Sequence, residues 1–191
     1  IGTHTEYIEP FCGALGVFKY MIKNDSKSEL KYSAYDTHED LIILFNELKN
    51  DSFEYFEVTK SVYDSLKNSK IPSSKRAFVG FGTSYGGSFF GGFNEIRKDS
   101  GKRTDLIAYN SLKKMELEKI NKNIKFECSD SKELEIYDSL IYCDPPYQNT
   151  KSSLSRCDFN HEEFWDKVRY WKKCGNTVII SEYSAPDDFE C

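Results

Sequence analysis

The chain has 191 residues and a mass of 22.2 kDa, a size that fits one compact domain. No apolar run approaches the roughly 18 to 20 residues of a membrane span, and the six cysteines form no C-x-x-C pair, so a membrane protein and a structural zinc site are disfavoured. The net charge of −5 hides a basic region from Lys60 to Lys125, with 14 Lys and Arg against 6 Asp and Glu. This clustering predicts a phosphate-binding face, although a solvated lysine-rich surface explains it equally well.

The amino-terminal third predicts two successive strand–helix units. An apolar run over residues 7–11 ends in a glycine turn, and apolar residues at helical spacing follow from Val17. A second short strand is predicted over residues 31–35. An amphipathic helix then follows over residues 38–50. The amino-terminal pattern is therefore β-α-β-α.

The middle of the chain predicts helices interrupted by a glycine-rich stretch. Residues 53–70 are predicted to be helical, and Pro72 ends that helix. Residues 78–93 contain six glycines and are not expected to form a regular helix. A further helix is predicted over residues 104–120.

The last third predicts three strands, over residues 124–128, 140–143 and 177–180, and a helix around residues 164–171. Five short strands alternating with helices predict an α/β fold with an open, mostly parallel sheet and helices on both faces. Ligands bind such sheets beyond the carboxyl ends of the strands. The residues that follow the strands should therefore converge on one edge: Gly13, Asp36, Asp130, Asp144 and Ser181.

The tetrapeptide Asp144-Pro145-Pro146-Tyr147 is the most informative motif, because it directly follows a predicted strand. Its two prolines fix two φ angles and stiffen the loop. The Asp144 carboxylate and the Pro145 carbonyl could both accept hydrogen bonds from one exocyclic amino group, while the Tyr147 ring offers a face for a planar group. The alternative is a strand-terminating turn with a buried tyrosine.

This tetrapeptide resembles the catalytic motif of Dam-like DNA adenine-N6 methyltransferases, and the resemblance extends over most of the chain. Residues 9–18, EPFCGALGVF, are similar to the cofactor loop of that family, except that Leu15 stands where a second glycine is usual and Gly16 comes one place later. Residues 36–42 and the closing run 178–183 also resemble family segments. The resemblance implies a Rossmann-like methyltransferase sheet and S-adenosylmethionine as cofactor, without a metal.

The resemblance also implies a role for individual residues. Asp36 matches the acid that holds the ribose hydroxyls of the cofactor, and Asp130 matches the acid that contacts its adenine. The alternative for Asp36 is a turn residue or helix N-cap, and the alternative for Asp130 is a loop carboxylate. The matching cofactor loop consists of Pro10, Phe11, Cys12 and Gly13. The matching catalytic residues are Asp144, Pro145, Pro146 and Tyr147. Aspartate at position 144 favours adenine over cytosine or protein glutamine as the substrate.

In the resembled family the target-recognition region lies between the second and third strands. We therefore expect a catalytic core formed by residues 1–52 and 124–191, and a basic target-recognition insert formed by residues 53–123. Aromatic and basic side chains of such an insert can contact bases and phosphates of double-stranded DNA. The candidates for DNA binding are Tyr85, Arg97, Lys98, Lys102 and Arg103.

The resulting hypothesis is a site-specific DNA methyltransferase, cytoplasmic and of bacterial or phage type, that acts on N6 of a flipped adenine. The family normally has a basic segment before the first strand and a hairpin after the fifth, so we expect the chain to be truncated at both ends and to bind the cofactor weakly. Two alternatives stay open. One is a catalytically inactive remnant that binds DNA, and the other is an N-methyltransferase acting on RNA or protein.

Overall fold

A computed structural model of the protein describes residues 4–25, 30–96, 101–120, 123–148 and 159–190. The chain divides into two compact units. The strand unit comprises Ile1–Thr37 and Lys122–Cys191, and the insert unit comprises His38–Asn121.

The described residues of the strand unit form one five-stranded sheet in which every pair is parallel. The spatial order is β3-β2-β1-β4-β5, so the chain starts in the centre and winds outward in both directions. This arrangement confirms the predicted α/β fold with a parallel, Rossmann-like sheet. The strand bounds are β1 Glu6–Glu9, β2 Lys31–Asp36, β3 Ile124–Cys128, β4 Leu140–Cys143 and β5 Thr177–Ile180.

Six α-helices are formed within the described parts of the chain. They are α1 Gly16–Asn24, α2 Glu39–Lys49, α3 Lys60–Asn68, α4 Ser74–Gly82, α5 Thr104–Lys113 and α6 His161–Lys173. Of these, α1 and α6 belong to the strand unit, and the other four belong to the insert unit.

The two helices of the strand unit cover opposite faces of the sheet. Successive residues of a strand point to opposite faces, so Tyr7 and Ile8 of β1 serve different cores. Phe18 of α1 packs near the rings of Tyr7 and Tyr32, with centroids 6.2 and 6.0 Å away. On the other face, Ile8 belongs to a buried cluster with side chains of α6, among them the fully buried Trp171. The predicted helices on both faces are therefore present.

The insert unit differs from the helical prediction at its start. Residues 53–59 are not helical, and α3 begins only after Thr59, whose side-chain oxygen accepts a hydrogen bond from the Val62 amide. The Val58 amide donates to the buried Asp105 carboxylate instead of joining a helical ladder. The predicted helix over 53–70 was therefore wrong for its first third, because a tertiary hydrogen bond replaces the local one.

The glycine-rich stretch also differs from its prediction, because α4 extends through Gly80 to Gly82. Ser73 caps this helix by accepting a hydrogen bond from the Arg76 amide. Packing requires glycine at position 80, because a Cβ there would collide with the Phe89 ring. The cost of glycine in a helix is thus offset by close aromatic packing. Further along, the predicted helix over 104–120 ends at Lys113, and a short 3-10 turn follows.

Candidate active site

The carboxyl ends of the parallel strands form one edge of the sheet in the strand unit, and polar side chains lie along it. Glu9 is the last residue of β1, Asp36 the last of β2, and Asp144 directly follows β4. The strand order makes β2 and β4 the two neighbours of β1. The loop after β1 is tied to β2 by a hydrogen bond of 2.9 Å from the Cys12 amide to the Tyr35 carbonyl.

Gly13 and Asp36 are joined directly. The Gly13 amide donates to Asp36 Oδ2 at 3.0 Å, although 23 residues separate the two in sequence. Gly13 has a φ of 44°, a left-handed conformation that favours glycine, and no heavy atom lies within 4 Å of the position its Cβ would take. The loop therefore leaves open space beside a half-buried carboxylate.

Leu15, the departure from the family pattern, adopts a left-handed backbone with a φ of 60°. This conformation costs a non-glycine residue roughly 1 kcal/mol. The Leu15 side chain is fully buried, and such burial contributes about 1.5 to 3 kcal/mol. The backbone thus turns where the family usually has glycine, and burial of the leucine offsets the strain.

The other predicted residues of the cofactor loop are more enclosed. Pro10 and Cys12 are buried, and burial raises the pKa of the Cys12 thiol above its usual value. Phe11 is half-buried and packs edge-on against Phe159 and Phe164, with ring centroids 5.8 and 5.7 Å away. The side chain of Phe11 therefore anchors the loop in the hydrophobic core.

Glu9 is the first residue of the predicted cofactor loop over residues 9–18, although it was not singled out as a cofactor contact. Its side chain is 2% exposed and accepts a hydrogen bond of 2.6 Å from the Tyr7 phenol. Burial raises the pKa of Glu9 to about 7; the hydrogen bond from Tyr7 opposes this rise, and the nearby charge of Asp144 adds to it. The sequence signal for this residue was an acid directly after the apolar pair Tyr7-Ile8, at the end of a short strand.

Asp130, the second predicted cofactor acid, lies two residues after β3. Its Oδ1 accepts a hydrogen bond of 3.1 Å from the Lys132 amide, and its carboxylate forms an ion pair of 3.2 Å with the Lys132 ammonium. Asp130 therefore caps a short 3-10 turn in this structure.

The tetrapeptide from Asp144 to Tyr147, predicted to be catalytic, continues directly from β4. Asp144 is exposed, Pro145 is buried and Tyr147 is half-buried. The Tyr147 phenol lies 2.7 Å from the Ser181 hydroxyl, at the end of β5. The hydrogen bond with Ser181 lowers the pKa of Tyr147. A hydrogen bond to Asp144, partial burial and the charge of Asp144 have the opposite effect, and together they raise the pKa of Tyr147 above its usual value. Two adjacent strand ends thus fix the tyrosine beside the aspartate.

The predicted DNA-binding residues belong to the insert unit. Arg97 and Lys98 lie outside the described residues. Lys102 is exposed, and Tyr85 is 56% exposed, in a glycine-rich turn where its amide donates to the Gly92 carbonyl at 3.0 Å.

Arg103 is engaged within the insert unit. Its guanidinium donates to both oxygens of Asp105, at 3.1 and 2.6 Å, and forms an ion pair with Glu57. Asp105 is 3% exposed and also accepts from the Val58 amide at 3.0 Å. Burial alone would raise the pKa of Asp105, but the hydrogen bonds from Arg103 and from backbone amides hold it below its usual value. The structure thus gives Arg103 partners within the protein.

Comparison with protein families matches residues 2–183 to the D12 class N6 adenine-specific DNA methyltransferases. The chain belongs to this family. It is therefore an enzyme of the class that methylates adenine in DNA, and the predicted resemblance to adenine-N6 methyltransferases is confirmed. No curated protein sequence matches the chain.

Neither a metal-binding cluster nor a membrane-spanning helix is present among the residues that the structure describes. No group of three or more His, Cys, Asp or Glu side chains in that part of the chain is arranged to hold a metal ion. The helices described there are all too short or too polar to cross a bilayer.

Proposed function

We propose that this methyltransferase transfers a methyl group from S-adenosylmethionine to N6 of an adenine flipped out of double-stranded DNA at a specific sequence. One observation carries the proposal. The tetrapeptide from Asp144 to Tyr147 follows β4, the strand beside β1, and the glycine loop follows β1 in the same unit. Membership of the adenine-N6 family supplies the reaction class.

The residues at the sheet edge fit S-adenosylmethionine, which supplies a methyl group on a positively charged sulfonium when bound. The open space at Gly13 suits the close approach of a nucleoside to the backbone. Asp36, at the end of the neighbouring strand, is of the type that accepts hydrogen bonds from ribose hydroxyls. We propose that Pro10, Phe11, Cys12 and Gly13 form the wall of this pocket.

Asp130 is the proposed contact for the adenine ring of the cofactor. A carboxylate can accept several hydrogen bonds, so the bond from the Lys132 amide leaves acceptor capacity on this side chain. Asp36 ends β2 and Asp130 follows β3, and these two strands are paired, since Asp36 stands opposite Cys128. The two acids are thus proposed to hold different parts of the same nucleoside.

For the target base, the proposed catalytic groups are the Asp144 carboxylate and the Pro145 carbonyl. The lone pair of adenine N6 delocalises into the ring, which makes this nitrogen a poor nucleophile. Two hydrogen bonds accepted from N6 would favour a more tetrahedral nitrogen and stabilise the positive charge that develops during transfer. Pro145 and Pro146 hold these acceptors in place by restricting the backbone.

Tyr147 is the proposed stacking partner of the flipped base. Flipping costs a few kcal/mol, which stacking on an aromatic ring partly offsets. The hydrogen bond between the Tyr147 phenol and Ser181 supports this role, because it fixes the ring before the base arrives. Preorganisation of this kind reduces the ordering cost of binding.

The proposed target-recognition region is the basic insert over residues 53–123. Lys98 and Lys102 are proposed to neutralise phosphates, and Tyr85 to contact the DNA with its exposed ring. Arg97 and Arg103 are proposed to read bases or position phosphates. Arg103 could contact DNA in two ways. Its guanidinium could release Asp105 and Glu57 and bind the DNA, or it could contact the DNA while still paired with both carboxylates.

The function is tested by incubating the protein with tritiated S-adenosylmethionine and, in parallel, with unmethylated DNA, total RNA or a mixture of proteins. We expect label in DNA, recovered as N6-methyladenine after digestion to nucleosides. Label in RNA or protein alone would replace this proposal with a different substrate class. Affinity for DNA without any methylated product would identify a DNA-binding remnant.

A further inference from the structure

The loop between α3 and α4, residues 69–73, presents an aliphatic side chain to solvent in the insert unit. Ile71 is 76% exposed, compared with 53% for Ile96 and 51% for Ile179. A single exposed isoleucine is common on protein surfaces. What distinguishes Ile71 is the rigidity of its loop and the charge of the residues around it.

The backbone of this loop is restricted on both sides of Ile71. Pro72 confines the residue before it to extended conformations, and a β-branched side chain has few rotamers. The Ile71 amide donates to the Ser69 hydroxyl at 3.2 Å, and the Ser73 amide donates to the buried Asp40 carboxylate at 2.6 Å. The exposed side chain is therefore preorganised, which reduces the ordering cost of contact with a partner.

Arg76 ties the same loop to both helices. From its place in α4, its guanidinium donates to the carbonyls of Leu66 and Ser69 at the end of α3. Its Nε also donates to the Asp40 carboxylate at 3.2 Å, so its charge has an acidic partner inside the unit. Arg76 thus acts as an internal brace, and positive charge for a ligand must come from other residues.

Exposed lysines flank the loop. Lys67 lies in the last turn of α3, Lys70 lies in the loop, and Lys75 lies in the first turn of α4. The sequence contains no Asp or Glu between Asp64 and Glu95. The apolar tip of the loop is therefore set in a locally positive surface, which favours a polyanionic partner with an apolar groove.

The helix before the loop also supports the proposed DNA contact Tyr85. The buried Tyr63 of α3 places its phenol 2.9 Å from the Ser84 hydroxyl, and this phenol accepts from the Gly92 amide at 3.0 Å. The Tyr63 ring packs against Phe90, with centroids 5.2 Å apart. One helix thus carries both the loop and the glycine-rich turn that presents Tyr85.

Double-stranded DNA has both features that suit this loop. Phosphates border its minor groove, and proteins that enter this groove frequently insert an apolar side chain at a base step, which unstacks the step and bends the duplex. We propose that residues 69–73 form a second DNA-contacting element, in which Ile71 enters the minor groove as a wedge while Lys67 and Lys70 neutralise phosphates beside it. This inference rests on the proposed DNA-binding role of the insert unit.

The test uses a duplex of about 30 base pairs that is rich in TA steps, which are the easiest to unstack. Energy transfer between dyes at its ends reports bending, and fluorescence anisotropy gives Kd over a series of salt concentrations. Wild type is compared with Ile71→Ala, Ile71→Leu and a double variant with alanine at Lys67 and Lys70. Ile179→Ala is the matched control, because Ile179 is half-exposed on β5 in the strand unit.

We expect Ile71→Ala to raise Kd for DNA by about 5-fold to 30-fold and to lose most of the bend, because an apolar contact is removed. Its salt dependence should stay at the wild-type value, since no charge changes. Ile71→Leu should keep both affinity and bending. The double lysine variant should instead flatten the slope of log K against log[salt] by roughly 2.

Wild-type affinity and bending in Ile71→Ala, or losses equal to those of Ile179→Ala, would overturn the inference. Binding to anionic lipid vesicles that requires Ile71, beside DNA binding that does not, would overturn it in favour of a membrane surface. Neither measurement depends on methyl transfer. A wild-type protein that bends DNA through Ile71 but forms no N6-methyladenine would therefore support the wedge and overturn the proposed reaction.

Discussion

The two units use their polar and aromatic side chains differently. In the strand unit, Asp36 and Tyr147 make hydrogen bonds that hold neighbouring loops at one edge of the sheet. In the insert unit, basic side chains form contacts with acidic, backbone and aromatic groups of the same unit. Arg76 donates to Asp40 and to the carbonyls of Leu66 and Ser69, and it lies near the Phe89 ring.

A count of charges along the sequence shows where basic residues are concentrated, but not which of them are free to bind a ligand. The excess of basic residues between Lys60 and Lys125 indicates a phosphate-binding face, but at least two of its arginines, Arg76 and Arg103, have carboxylate partners inside the insert unit. Exposed lysines are therefore better candidates for phosphate contacts than these arginines.

The largest effect is expected for Asp144→Ala in the strand unit. Removal of a preorganised acceptor at the reacting atom should lower kcat on the order of 10²-fold or more, because its stabilisation of developing charge is lost. The affinity for DNA should stay within a few fold, since the DNA-binding surface is proposed to lie in the insert unit. Steady-state kinetics and DNA titrations measure both quantities, with thermal melting as the control for folding. A variant that retains more than about a tenth of wild-type kcat would contradict the role of Asp144.

In the insert unit, Asp105→Ala should destabilise the protein through its internal network. The Val58 amide loses its acceptor, and a buried donor left unsatisfied costs about 1 to 3 kcal/mol. Asp64→Ala is the matched control, because the half-exposed Asp64 side chain pairs with the exposed Lys60, a type of pair worth about 0.5 kcal/mol. Denaturant unfolding gives both values. Equal losses in the two variants would mean that the Asp105 network is no stronger than a surface ion pair.

Replacement of Lys98 and Lys102 by alanine should reduce the salt dependence of DNA binding. Each lost phosphate contact removes about 0.9 from the slope of log K against log[salt], so the double variant should flatten it by roughly 2. The control pair is Lys172 and Lys173, two exposed lysines at the end of α6 in the strand unit. A slope that changes equally in both double variants would show that the insert unit has no special part in phosphate binding.

Glu9→Gln should change how stability depends on pH. Burial raises the pKa of Glu9 to about 7 in the folded protein, so the folded state holds a proton that the unfolded state has already released near neutral pH. The favourable contribution of protonated Glu9 to the free energy of unfolding is complete below about pH 4.5, and it is lost as the pH rises through about 7. Between pH 6 and 8 the wild type should lose on the order of 1 kcal/mol relative to Glu9→Gln.

Glutamine keeps an acceptor for the Tyr7 phenol, so the variant isolates the charge of Glu9. Thermal unfolding of both proteins from pH 5 to pH 8 gives the difference directly. If the stability of the two proteins changed in parallel with pH, Glu9 would have an ordinary pKa that the charge of Asp144 does not raise.

The sequence predicted the strand unit better than the insert unit, for a physical reason. The strand at 140–143 is a short apolar run and the strand at 124–128 alternates apolar with charged residues, and parallel topology brings their ends to one edge. The helix predicted over 53–70 failed because Val58 bonds to Asp105, 47 residues away. The helix through Gly80 was missed because its glycine is required by the Phe89 ring. Such tertiary contacts leave no local periodicity in the sequence.

The candidate site shows the same division. The position of Asp36 beside Gly13 was predictable, because the motif spacing and the parallel sheet both require it. The raised pKa of Glu9 and the contact between Tyr147 and Tyr183 were not, because both depend on how separate strand ends pack together. Arg103 was predicted as a DNA contact, and its exchange between Asp105 and DNA stays a prediction.

The central claim is that a carboxylate at the end of β4 directs methyl transfer to adenine N6 in DNA. Its most direct test is mass spectrometry of nucleosides from the DNA of a methylation-deficient bacterial host that expresses the wild-type protein or Asp144→Ala at equal levels. The account predicts N6-methyladenine with the wild type and none above background with the variant. N4-methylcytosine as the product, or equal N6-methyladenine from both proteins, would contradict it.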